Sequence, residues 1–124
     1  MKNDKHVILV IDDDQDILDA ARAVLESGGY AMIEAPSARE GRDVFDKEKP
    51  DFLIVDIMME EIDAGIAFVE EIRSTGFEGP IYFLSSIGDE LSKQISTSKL
   101  GVTGILQKPL KGELVLKIID DKLK

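Results

Sequence analysis

The chain of 124 residues has no cysteine, no tryptophan, a single histidine and only four prolines. Without cysteine there can be no disulfide framework, no thiolate metal site and no cysteine nucleophile. Basic residues are also in short supply: fifteen Lys and Arg stand against twenty-five Asp and Glu, for a formal net charge of −10. A surface of that sign repels phosphate backbones and anionic lipid, so neither nucleic acid nor a membrane is expected as a partner. Long apolar runs are missing too. Met1 to His6 lead into five apolar residues, Val7 to Ile11, too few for a signal peptide or a membrane span. The expectation is a cytoplasmic protein. No internal repeat, low-complexity tract or linker divides it, and 44% hydrophobic with 32% charged residues is the composition of an ordinary globular domain. One domain over 1–124 is expected, able to bury roughly two-thirds of its unfolded surface.

What the chain does contain is an alternation of short apolar runs with helical patterns. Val7-Ile8-Leu9-Val10-Ile11 is apolar on both faces, as a strand inside a covered parallel sheet must be. Asp14 can cap the helix that follows, with Ile17, Ala21, Val24 and Leu25 as its apolar stripe and Gly28-Gly29 as its stop. Tyr30 to Ala35 is a second strand. Ser37-Ala38-Arg39-Glu40 is a capping box for a helix that closes before Pro50. Phe52 to Val55 forms a third strand ending at Asp56, and a helix from about Ala64 to Ser74 turns Phe68, Val69 and Ile72 inward. Pro80 introduces a fourth strand, Ile81 to Leu84. A weak helix follows, with only Leu91, Ile95 and Leu100 as anchors among Ser and Thr. Gly104 to Gln107 is a fifth strand, and a last helix carries Leu114, Val115, Ile118 and Ile119. Five strands alternating with five helices predict an α/β fold, a doubly wound parallel sheet covered on both faces.

Sites in such sheets lie outside the carboxyl ends of the strands. Those ends carry Asp12-Asp13-Asp14, Asp56, Ser85-Ser86 and Lys108-Pro109. Any one of them alone reads as a cap, a turn or a surface residue. Together, each at the end of a different strand, they read as a site. Crowded carboxylates repel one another unless a cation sits among them, and a hard divalent ion with oxygen ligands suits them. A lysine and a hydroxyl alongside complete a place for a phosphoryl group.

Across nearly its whole length the sequence resembles the receiver domain of bacterial two-component response regulators. The resemblance rests on Val10-Ile11-Asp12-Asp13-Asp14, on Pro50 through Met59, on Pro80 through Ser86, and on Gly101 through Pro109. Spacings of 43, 29 and 23 residues separate Asp13, Asp56, Ser85 and Lys108, as in that family. The resemblance implies a flavodoxin-like five-stranded parallel sheet in the order 2-1-3-4-5, an order the handed crossovers permit. It makes Asp56 the phosphoacceptor. Asp12, Asp13, Asp56 and the backbone carbonyl of Met58 would hold Mg²⁺, Lys108 would pair with phosphoryl oxygens, and Ser85 would hydrogen-bond one of them. Met58 and Ile87 occupy the positions that tune dephosphorylation; neither orients a water strongly. Ile105 stands at the switch position, usually aromatic, so the family's aromatic switch is expected not to operate in its usual form. The usual Pro-Gly is Glu60-Glu61 and the usual Asp-Gly is Asp63-Ala64-Gly65, which implies a more acidic, differently shaped loop.

The implied partners are a sensor histidine kinase or histidine phosphotransfer protein and a downstream protein. The implied state is a monomer or a phosphorylation-dependent dimer. Nothing follows Lys124, so a stand-alone receiver without an output domain is expected, with only weak self-catalysed phosphotransfer and autodephosphorylation. His6 precedes the first strand, away from the site, and reads as structural or exposed. Two other readings compete. A receiver-fold binding module that works without phosphorylation would tolerate the loss of Asp13, Asp56, Ser85 or Lys108, all of which are present. A phosphatase of the haloacid dehalogenase type, using Asp12-x-Asp14, wants Thr or Val where this chain has Asp16.

Overall fold

The computed structural model describes residues 5–57, 64–85 and 101–123. Its strands are β1 (Val7–Ile11), β2 (Ala31–Ala35), β3 (Phe52–Asp56), β4 (Ile81–Ser85) and β5 (Gly104–Gln107). They form one sheet in the order β2-β1-β3-β4-β5, every neighbouring pair parallel. Four helices lie among the described residues: α1 (Gln15–Ser27), α2 (Ala38–Glu48), α3 (Ala64–Ser74) and α4 (Gly112–Leu123). The weak helix expected around Leu91 to Leu100 lies outside the described residues, as do Met58, Glu60-Glu61, Asp63, Ser86 and Ile87.

The strand pleat sorts the core into two layers. Ile8, Val10, Phe52, Ile54, Tyr82, Leu84 and Leu106 point toward α1 and α4, where they meet Leu18, Leu25, Val115 and Ile119. Leu9, Ile11, Leu53, Val55, Ile81 and Phe83 point the other way, onto Phe68, Val69 and Ile72 of α3. Apolar side chains on both faces leave β1, β3 and β4 buried along their whole length. That double burial is why they read as unbroken apolar runs rather than alternating ones.

Local signals set the helix ends. Asp14 accepts a hydrogen bond from the Asp16 amide, and Ser37 accepts one from the Glu40 amide. α2 ends with Lys49 in the left-handed region (φ 48°), and Pro50 follows. The apolar stripes differ from expectation by one residue in two places. Leu18, rather than Ile17, is the fully buried member of the first turn of α1, with Ile17 and Val24 half-buried beside it. In α4, Leu114 is 53% exposed whereas Val115 and Ile119 are buried. One helical residue is a rotation of about 100°, enough to carry Leu114 off the core face.

Candidate functional site

β1 and β3 are sheet neighbours, but their connections run to opposite sides: α1 leads outward to β2, and α3 leads to β4. A crevice opens where the direction of winding reverses. Asp12, just past β1, and Asp56, the last residue of β3, both stand at its floor and are buried, with Asp13 exposed above them. Carboxylate oxygens of the three lie within 4.8 Å of one another.

The two buried acids are held from the backbone. The Asp12 amide donates to the Ala35 carbonyl (3.1 Å), tying the end of β1 to the end of β2. Its Oδ1 accepts from the Asp14 amide at 2.9 Å, so the run of three aspartates makes its own turn. Asp56 is fixed by the ladder to Leu84, and the next amide, Ile57, donates to the Leu84 carbonyl (3.1 Å). Ser85, the last residue of β4, is buried, and its carbonyl accepts from the Lys108 amide at 2.8 Å. That bond carries the β4–β5 ladder one residue past β5 and fixes the main chain from which the Lys108 side chain reaches Asp12 and Asp56.

Lys108 Nζ stands 3.1 Å from Asp12 Oδ2 and 3.5 Å from Asp56 Oδ2. Burial by itself would push its ammonium down, but the close contact with Asp12 and the charge of Asp56 outweigh it, and the pKa ends above the usual lysine value. Lys108 is therefore a fixed positive charge. Among the described residues, however, a single lysine stands against two of the three grouped carboxylates, and Oδ2 of Asp12 is a fully buried oxygen with an ion-pair contact but no hydrogen bond. An all-oxygen donor set with a surplus of negative charge and an under-bonded buried oxygen fits a hard divalent cation.

The structure brings together Asp12, Asp13, Asp56 and Lys108, and Ser85 is buried at the end of β4 with its carbonyl bonded to the Lys108 amide. Asp14 caps α1 and takes no place among the grouped carboxylates. Met58 and Ile87 fall outside the described residues. Ile105 is half-buried on β5 and packs on the core layer that contains Phe83 and Val102. His6 lies at the opposite end of the sheet, its Nδ1 3.6 Å from Asp51 Oδ2. One contributor, named in the sequence only as part of Asp63-Ala64-Gly65, was given no role at the site. Gly65, the second residue of α3, is buried against the carbonyls of Asp56 and Ile57, so close that a Cβ there would lie 2.6 Å from the Asp56 oxygen. The available signal was a glycine inside a helix, where it is the poorest helix former after proline.

The family described as "Response regulator receiver domain" matches residues 8–120. Response regulator MprA of Mycolicibacterium vanbaalenii is 33% identical over 109 residues, 88% of this chain and 46% of that protein. Transcriptional regulatory protein GlrR of Escherichia coli is 32% identical over 116 residues, 94% of this chain and 26% of that protein. The chain spans about half the length of the first relative and about a quarter of the second. The crystal structure of the Vibrio cholerae chemotaxis protein CheY4 is similar with a TM-score of 0.83 at 29% identity, covering 96% of this chain and 99% of that one.

Proposed function

Because the chain belongs to the response regulator receiver domain family, we propose that it takes a phosphoryl group onto Asp56 in a Mg²⁺-dependent reaction and signals through altered protein–protein contacts. The observation that carries this reading is Lys108 Nζ placed between Asp12 and Asp56 at the edge of a three-carboxylate cluster. That arrangement offers a nucleophilic carboxylate, a fixed cation and a set of metal-binding oxygens in one crevice.

The step is a phosphoryl transfer. An oxygen of Asp56 forms a bond to phosphorus as the donor's phosphorus–nitrogen bond breaks. The electron pair stays with the departing imidazole, which takes up a proton, and Asp56 is left as an acyl phosphate. The chain's residues chiefly position charge. Asp12, Asp13 and Asp56, with the Met58 carbonyl that the resemblance adds, would hold Mg²⁺, which when bound neutralises charge on the phosphoryl oxygens. Lys108, already charged and already within 3.5 Å of Asp56, needs little movement to pair with a phosphoryl oxygen. The Ser85 hydroxyl, one residue past the Leu84 that pairs with Asp56, would donate to another, as the family resemblance implies. The donor is a sensor histidine kinase or a histidine phosphotransfer protein, and the chain is a phosphoacceptor rather than a turnover enzyme. Its −10 charge favours protein partners over nucleic acid or membrane, and a cytoplasmic place accords with the lack, among the described residues, of any helix able to cross a membrane. Met58 and Ile87 would leave the acyl phosphate long-lived, since neither side chain orients a water well.

Intact mass after incubation with acetyl phosphate and Mg²⁺ tests the reading. The parent gains one phosphoryl group, Asp56→Asn gains none, and the gain decays faster in Met58→Asn than in the parent. No gain in the parent, or an equal gain in Asp56→Asn, overturns it.

A further inference from the structure

The first turn of α3 touches the backbone that carries Asp56, and only a glycine permits the contact. A Cβ on Gly65 would lie 2.6 Å from the Asp56 carbonyl oxygen, 3.1 Å from the Ile57 oxygen and 3.3 Å from the Ile57 Cα. All three are main-chain atoms, so no rotamer change relieves the clash. Either α3 or the end of β3 must move by roughly half an ångström before the contact becomes tolerable. Both are held. α3 is anchored by the buried side chains of Phe68, Val69 and Ile72. The end of β3 is tied to β4 through the pairing of Asp56 with Leu84 and the Ile57 amide bonded to the Leu84 carbonyl. A side chain at residue 65 therefore strains the two anchored elements against each other, and the displacement falls on the residue whose carboxylate must sit beside Asp12, Asp13 and Lys108.

We infer that Gly65 is a positioning residue for the chemistry of Asp56. By carrying no side chain it lets α3 abut the main chain of Asp56 and Ile57, which fixes where the acceptor carboxylate stands relative to the other acids and the lysine. This rests on the reading of Asp56 as phosphoacceptor. The geometry of such sites tolerates about 0.5 Å of error, so the cost should appear in the reaction more than in the fold.

The test compares the parent with Gly65→Ala and with Ile72→Val, a core variant on the same helix whose truncation lies away from the site. Each is phosphorylated over a range of acetyl phosphate concentrations at saturating Mg²⁺ and at a temperature where circular dichroism shows it folded. Alanine at an unconstrained helical position would raise the melting temperature; here it should fall. The maximal phosphorylation rate of Gly65→Ala should drop on the order of 10- to 100-fold, with the half-saturating donor concentration little changed. Ile72→Val should keep the parent's rate despite its lower melting temperature. Should Gly65→Ala be unfolded in plain buffer, trimethylamine N-oxide drives it to the folded state and the same rates are measured there for all three proteins. A folded Gly65→Ala that reacts at the parent's rate overturns the inference, as does an Ile72→Val that slows to the same extent. A parent that takes no phosphoryl group at all removes the underlying reading, and the two failures are told apart by the parent alone.

Discussion

The two ends of the sheet handle charge in opposite ways. At the end where the strands begin, Arg73 is half-buried, and its guanidinium donates to three main-chain oxygens. Nε donates to the Gly101 carbonyl and Nη1 to those of Phe77 and Gly79, each at 2.8 Å, while the group lies 5.7 Å from the Phe77 ring centroid. Burial pushes its pKa down from the usual arginine value, though not far enough to cost it its proton. At the end where the strands stop, three carboxylates crowd together with one lysine between two of them. The first arrangement matches one cation to three carbonyls and staples α3 to the entries of β4 and β5. Among the described residues the second leaves negative charge in surplus, which a bound cation would offset. Adding millimolar Mg²⁺ should therefore act on one end only, and substitutions at the two ends should respond to it differently.

The largest expected effect is that of Lys108→Ala. Removing the partner of two buried carboxylates should cost about 3 kcal/mol in metal-free buffer, read from a denaturant midpoint. Millimolar Mg²⁺ should recover a substantial part of that loss. An equal loss with and without Mg²⁺ would mean that the lysine and the metal do not share the same charge.

Next is Arg73→Met, which keeps the stem over Phe77 but deserts three carbonyls. A loss of about 2 kcal/mol is expected from charged hydrogen bonds to groups left partly unsatisfied. It should be the same with and without Mg²⁺, and phosphorylation at the far end should proceed. A Mg²⁺-dependent loss would contradict the separation of the two ends.

The smallest concerns Tyr30, whose hydroxyl donates to Asp120 of α4. Burial first, and then that bond to a carboxylate, push the phenol well above its ordinary value near 10. The proton is held more tightly folded than unfolded, so the stabilisation is complete below pH ~10 and drains away as pH rises beyond it. Tyr30→Phe should cost about 1 kcal/mol at pH 7 and show a shallower fall in melting temperature between pH 9 and 11 than the parent. An unchanged alkaline slope would remove Tyr30 from that pH response.

Much of this architecture is legible before any coordinate is known, and particular residues show why. Ile81, Tyr82, Phe83 and Leu84 are unbroken by polar residues because both faces of β4 are covered, so the run itself announces an interior parallel strand. Asp14 and Ser37 announce the helix starts because capping is a local bond between a side chain and an amide two or three residues on. Leu18 and Leu114 were harder, because which side of a stripe's edge faces the core depends on the helix's rotation against the sheet.

What the sequence determined by itself was the five strands and the four helices among the described residues, and with them which groups stand at the strand ends, since periodicity, caps and strand ends are properties of short stretches of chain. What only the tertiary structure decided was distance: that Lys108 reaches Asp12 and Asp56, that Asp12 keeps an under-bonded oxygen, that Arg73 spends itself on carbonyls of three separate residues, and that Gly65 meets the backbone of Asp56. These contacts join segments up to 96 residues apart, as from Asp12 to Lys108. Their lengths are set by how close-packed layers settle against one another, which no local pattern in the chain encodes.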